Sequence, residues 1–311
     1  MKLRLICLLL VFSLLLCGCG GTKASVDQGY TFTDDLGREV TVQNSRRTAA
    51  LLGSFAQIWL LAGGEVCACP DDAWKDLDLD LPEDTVNLGS TENLNLEMLL
   101  ASQPEFILAS TNWKQNVQWQ ETLEATGIPV AYFDVADFED YLRILEICTE
   151  LTGRQDCYET YGTEVQAQIR QVIRASEIRL ETEPAPRVLC LVASASSVRT
   201  KTSQENLMAA MLTRLGCENI ADTNGALLDH LSMEYILQED PDMIFLVQRG
   251  DDTEGTQEYV SRYLMEDPAW SRLQAVRNDR VYFMDKKLFN LKPNHRWGEA
   301  YEILEEILAN G

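Results

Sequence analysis

Histidine is nearly absent from this chain: only His230 and His295 occur in 311 residues. Zinc and manganese sites draw on several His and carboxylate ligands, so direct metal binding through imidazole is not the expected chemistry. Positive charge is also scarce. Lys and Arg number 26 against 49 Asp and Glu, a net charge of −23. Such a surface repels nucleic acid and anionic lipid, so neither is an expected partner. Gly-x-Ser-x-Gly, His-Glu-x-x-His and phosphate-loop motifs are missing. Acid–base chemistry would rest on carboxylates, and only Glu97 and Glu234 stand out as a matched pair. A binding protein is favoured over an enzyme, and no cofactor is expected.

Long apolar runs are limited to one. Residues 5–16 are apolar except for Ser13 and follow Lys2 and Arg4. That run is too short to cross a hydrocarbon core of about 30 Å, so it reads as the core of a signal segment. It ends in Leu16-Cys17-Gly18-Cys19, which resembles a bacterial lipobox with Cys19 as the residue that becomes lipidated. A simple secretory signal is the alternative. The small, polar stretch 20–29 suits a flexible tether. The expected order is a signal peptide over 1–18, a lipidated Cys and tether over 19–29, and a mature chain outside the cell membrane, anchored by lipid.

Six cysteines lie beyond Cys19: Cys67, Cys69, Cys148, Cys157, Cys190 and Cys217. Cys67 and Cys69 alternate on an expected strand, which would turn both to one face. They are either small core residues or a soft-metal pair. Cys148 and Cys157 could pair in an oxidising compartment, and the sequence leaves that open.

The rest of the chain alternates between short apolar runs and helical periodicity. A hairpin is expected over 30–42. Buried strands are expected at 48–52, 66–69, 106–109 and 130–133, with helices at 55–62, 96–102, 116–126 and 138–151 between them. The pattern restarts with strands at 187–192, 243–247 and 280–284 and helices near 204–215, 233–239, 259–264 and 297–309. Residues 155–183 contain no Pro and keep helical spacing until Glu183-Pro184-Ala185-Pro186 stops them. The expected fold is α/β. It has an N-terminal lobe over 30–153, a connecting helix over 154–184 and a C-terminal lobe over 185–311. Each lobe has a parallel-rich sheet flanked by helices, and the ligand cleft lies between the lobes.

One phrase is written twice. NLEMLLASQPEFIL at 95–108 and SMEYILQEDPDMIF at 232–245 superpose without a gap. Asn95 and Ser232 are good helix caps. Pro104 and Pro241 stop the helix and should push the residue before them toward extended backbone. A buried strand follows each.

Hairpin, two lobes, single connector and lipobox together resemble the substrate-binding lipoproteins of ABC importers that deliver ferric siderophores, haem and cobalamin, of the class III periplasmic-binding-protein fold. FTDDLGREVTV at 32–42 resembles that family's opening hairpin. NLEMLLASQPEFILAS, RVLCLVASASSVRTKTSQENL and YLMEDPAWSRLQAVRNDRVYFMD follow in the family's order and spacing. The resemblance implies a monomer that carries an iron chelate, or another large metal complex such as haem or a corrinoid, to a permease dimer with its ATPase. It also implies that Glu97 and Glu234, one per lobe, dock on permease arginines.

In open α/β sheets ligands sit beyond the carboxyl ends of strands. Those ends offer Ser54, Phe55, Trp74 and Trp113 in the first lobe. They offer Ser197, Arg199, Lys201, Arg249, Phe289, Lys292 and Arg296 in the second. Aromatics suit a flat ligand, and a basic patch in an acidic chain suits an anionic one.

Overall fold

The computed structural model describes residues 29–223 and 231–310. The signal-type segment, Cys19, the tether up to residue 28 and His230 lie outside the described residues. No helix among the described residues is long and apolar enough to cross a membrane.

The described residues open with the expected hairpin, β1 (Tyr30–Thr33) and β2 (Glu39–Val42), paired antiparallel. Its turn is fastened by Asp34. That carboxylate accepts the amides of Leu36, Arg38 and Tyr132 and the guanidinium of Arg38. Burial alone would raise the Asp34 pKa, but the Arg38 side chain and these amides hold it below the usual value.

The first lobe is a five-stranded parallel sheet. Its main elements are β3 (Thr48–Ala50), α1 (Gly53–Leu61), β4 (Val66–Cys69), α2 (Asp72–Lys75), β5 (Val86–Asn87), α3 (Leu96–Ala101), β6 (Phe106–Ser110), β7 (Val130–Phe133) and α4 (Phe138–Thr152), and the helix expected at 116–126 is two short ones, Lys114–Gln118 and Gln120–Glu124. The strand order is β5-β4-β3-β6-β7. Both faces are covered, which explains why β6 and β7 read as unbroken apolar runs. Phe106, Leu108, Ala131 and Phe133 join one core, whereas Ile107, Ala109 and Tyr132 join another.

In β4 the pairing slips: Thr48 faces Val66, yet Ala49 faces Ala68. Cys67 is the extra residue of a bulge, which breaks the alternation. Cys67 therefore packs with one core and Cys69 with the other, not on one face as expected. All six described cysteines are free thiols, Cys148 and Cys157 included.

Residues 155–180 form the connector. It is one helical rod, but not the uniform helix expected: a π turn at Glu159–Thr163 separates Gln155–Tyr158 from α5 (Glu164–Leu180). Gly162 lies in that turn, and a Cβ there would meet Leu142 Cδ1 at 2.8 Å.

The second lobe follows with β8 (Arg187–Ser194), β9 (Ser197–Thr200), α6 (Leu207–Arg214), β10 (Glu218–Asn219), α7 (Met233–Glu239), β11 (Met243–Gln248), β12 (Val281–Met284), α8 (Lys286–Phe289) and α9 (Trp297–Asn310). The order β10-β8-β11-β12 is parallel, and β9 folds back antiparallel on β8. The connector is pinned to α9 by a buried two-point ion pair, Arg179 Nε–Glu305 Oε1 at 3.0 Å and Nη2–Oε2 at 3.2 Å. Val165, Ile169 and Val172 of the connector share one core with the inner faces of both sheets.

The twice-written phrase folds twice. Asn95 Oδ1 caps α3 by accepting the Met98 amide at 3.0 Å, and Ser232 Oγ caps α7 by accepting the Tyr235 amide at 3.3 Å. β6 and β11 follow. One expectation is corrected. The residues before the prolines, Gln103 and Asp240, are left-handed, with φ of 51° and 40°. Each closes its helix as a left-handed cap, and the proline forbids continuation. The cap reverses the chain into the strand, which extended backbone at that point would not do.

Candidate ligand-binding site

A parallel sheet offers a crevice where two neighbouring strands send their connections in opposite directions. In the first lobe that point lies between β3 and β6, and in the second between β8 and β11. Each lobe therefore carries its crevice at the same topological place.

The second-lobe crevice is a pocket of ≈ 520 Å³. Ser197, Arg199, Lys201 and Arg249 line it together, with Ser194 and Gly250. The geometry comes from the β8–β9 hairpin. Ser197, Arg199 and Lys201 were expected only beyond a strand end, but Ser197–Thr200 pair with β8 in register, Arg199 opposite Val192. Alternation turns Val198 and Thr200 inward and leaves Ser197, Arg199 and Lys201 on the other face. The polar–apolar rhythm of Ser197-Val198-Arg199-Thr200-Lys201 was the available signal for this strand. Arg249 enters from the end of β11, its amide held by the Ala193 carbonyl at 2.7 Å. Among the described residues, no carboxylate forms an ion pair with Arg199, Lys201 or Arg249.

The other expected site residues divide. Trp74 and Trp113 are half-buried and lean on the main core. Ser54 lies in the first turn of α1, and its carbonyl accepts Asn294 Nδ2 at 3.0 Å. Phe55 and Phe289 are corrected: they are 2 % and 1 % exposed and belong to the core, because apolar side chains at these helix positions face the sheet. Lys292 is corrected too. Its amine donates to the Val135 carbonyl, and burial lowers its pKa. Arg296 is engaged by Glu299 through two hydrogen bonds, at 2.6 and 2.7 Å. His295 sits in a 3-10 turn, its ring edge-on to Tyr161 and its pKa lowered by burial.

In the first-lobe crevice the charge is negative and turned inward. Both carboxylate oxygens of Asp72 accept the Gly53 amide, at 3.0 and 3.1 Å, and so cap α1 from outside. A Cβ on Gly53 would lie 2.8 Å from the Ala73 nitrogen, so this approach needs glycine. Burial raises the Asp72 pKa to about 6, against the pull of the Gly53 amide.

Glu97 and Glu234 occupy the same position, the second residue of α3 and of α7, and both are exposed. Their surroundings differ. A groove of ≈ 550 Å³ beside Glu97 is lined by Leu94, Leu96, Met98 and Trp119. Next to Glu234, Tyr235 is held by Glu239 at 2.8 Å, and Glu239 is paired with Arg187.

Comparison with known proteins agrees with this architecture. The Fe(3+)-citrate-binding protein YfmC of Bacillus subtilis is 22 % identical, over 89 % of this chain and 87 % of that one. The structure of Staphylococcus aureus SirA complexed with staphyloferrin B superposes with a TM-score of 0.69 at 17 % identity, covering 90 % of this chain and 98 % of that one. Staphylococcus aureus IsdE complexed with heme gives 0.69 at 15 % identity, covering 85 % and 98 %. At these identities the structures speak for the fold. Residues 49–288 match the family described as periplasmic binding protein, and the chain belongs to that family.

Proposed function

We propose that this chain is the extracytoplasmic substrate-binding component of an ABC importer, anchored through Cys19, and that it holds an anionic ferric chelate of the siderophore class between its lobes. The observation that carries the reading is the second-lobe pocket. Three cations with no ion-pair partner among the described residues converge on it, in a chain whose net charge is −23. Cations left without carboxylate partners in so acidic a protein form a local field that attracts an anion. Ser194 and Ser197 share a hydrogen bond at 3.0 Å, which leaves one hydroxyl proton of the pair to donate to a ligand. The names of the relatives point the same way, since YfmC binds Fe(3+)-citrate and SirA was solved with staphyloferrin B. Haem and cobalamin are the competing ligands.

The six tryptophans give the test. Ferric citrate titrated into the protein should quench their fluorescence saturably, and more tightly than haem or cyanocobalamin. Preference for haem or cobalamin would overturn the chelate reading, and no binding by any of the three would overturn the binder.

The exposed, equivalent placement of Glu97 and Glu234 supports docking on a basic permease surface, one carboxylate from each lobe. Glu97→Ala with Glu234→Ala should abolish uptake while leaving chelate affinity within about twofold, as expected of exposed residues away from the ligand. Wild-type uptake by the double variant would contradict docking.

A further inference from the structure

The loop that brings Arg249 to the pocket has a second attachment. Asp251, two residues on, holds Lys286 Nζ at 2.7 Å, and the Gly250 carbonyl accepts the same amine at 3.4 Å. Lys286 opens α8 of the second lobe. Its Nζ also reaches Asp76 in the first lobe, again at 2.7 Å. One ammonium is therefore shared by two carboxylates from opposite sides of the lobe boundary. Its side chain is 23 % exposed and that of Asp76 is 18 % exposed, whereas that of Asp251 is 73 % exposed, so the Asp76 bond is the sheltered one and the Gly250 carbonyl shares in holding the loop. Burial works against the charge on Lys286, but the bonds to Asp251 and Asp76 outweigh it and raise its pKa. Asp76 directly follows α2, whose Asp72 caps α1 at the other crevice. Gly250, between the two functional residues, is left-handed at φ +81° and lines the pocket.

We infer that Lys286 is a positioning residue. By holding Asp76 and Asp251 at once, it sets the spacing of the lobes and fixes the loop from which Arg249 faces the ligand pocket. Without the ammonium, Asp76 and Asp251 face one another across the boundary and repel, relieved only in part by Lys75, which is ion-paired with Asp71. The lobes part there, and the 249–251 turn loses its anchor. The consequence for ligand rests on the pocket reading above; the consequence for lobe spacing does not.

Hydrogen exchange on the full-length protein reads the spacing without ligand. Lys286→Met should speed amide exchange in segments 76–80 and 249–252 by about tenfold, as local opening does when one shared tie is lost. It should also weaken ferric citrate binding by about tenfold. Adding Asp76→Asn to Lys286→Met removes the repulsion and should return exchange most of the way to wild type, which loss of packing alone would not. Unchanged exchange in both segments of a folded Lys286→Met protein, or no recovery on adding Asp76→Asn, would overturn the inference. If ferric citrate binds neither wild type nor variant, the ligand reading falls and exchange still decides the role of Lys286.

Discussion

The two lobes share a topology, and the charges next to their strand ends are handled differently. The first lobe keeps decisive charges inside. The Asp34 side chain is fully buried beneath the hairpin, and Asp72 is tucked against Gly53. The second lobe keeps Arg199 and Arg249 exposed around a pocket, with no ion pair to any described residue. A buried charge must be met by fixed partners, so it is committed to the fold. An exposed charge without a partner contributes little to folding and is available to a ligand. Variants of the first kind should change stability and not affinity, and variants of the second kind the reverse.

Asp34 should show the largest effect. Asp34→Ala leaves the Arg38 guanidinium with Glu124 and the Val130 carbonyl alone and frees the Leu36, Arg38 and Tyr132 amides. Unfolding free energy in urea should fall by about 3–5 kcal/mol, as for other broken buried pairs. Because the folded Asp34 pKa lies below its ordinary 3.8, this contribution is present above about pH 4 and lost as pH falls through the folded value. Arg249→Ala should leave stability unchanged and weaken ferric citrate binding by about 1.5–3 kcal/mol, the usual worth of a hydrogen bond to a charged group. If stability fell and affinity held, the division between the lobes would be wrong.

Asp72 sharpens the comparison because, among the described residues, its half-buried carboxylate has no ion-pair partner. Its folded pKa, about 6, lies above the ordinary 3.8. The neutral carboxyl therefore favours the folded state. That advantage is complete below about pH 4 and is lost as pH rises through about 6. Between pH 4 and 7 the wild type should lose about 1–3 kcal/mol relative to Asp72→Asn, which cannot ionise. Urea melts of the two proteins across that range give the difference directly, and parallel curves would refute it.

Much of this was legible in the sequence, for physical reasons that can be named. Strands buried on both faces read as apolar runs, so 66–69 and 130–133 were bounded as observed. Asn95 and Ser232 announced their helices because a cap needs a side-chain acceptor. The rest depended on what one residue meets elsewhere. The bulge at Cys67 follows from pairing with β3, which no local pattern records. Phe55 and Phe289 were expected at the ligand site because they follow strand ends, yet α1 and α8 turn them into the core. Arg199, Lys201 and Arg249 could be named from charge and strand position. That they meet in one pocket required the hairpin and β11 to lie side by side.

The neighbouring lysines of α8 offer the smallest and most discriminating test. Lys286 and Lys287 both reach first-lobe aspartates at 2.7 Å, Asp76 and Asp78 respectively. Distance alone would make them equals. Their surroundings do not: the Lys286–Asp76 side chains are 23 % and 18 % exposed, those of Lys287–Asp78 36 % and 75 %. Water and salt screen the outer pair, and holding two long side chains costs entropy. Lys287→Met should therefore lower stability by at most about 1 kcal/mol, and 0.5 M salt should erase the difference. Ferric citrate affinity should not move, because no part of the Arg249 loop is tied to Lys287. A Lys287→Met protein as impaired in binding as Lys286→Met would mean that lobe contact in general, rather than the shared ammonium beside the pocket, holds the site.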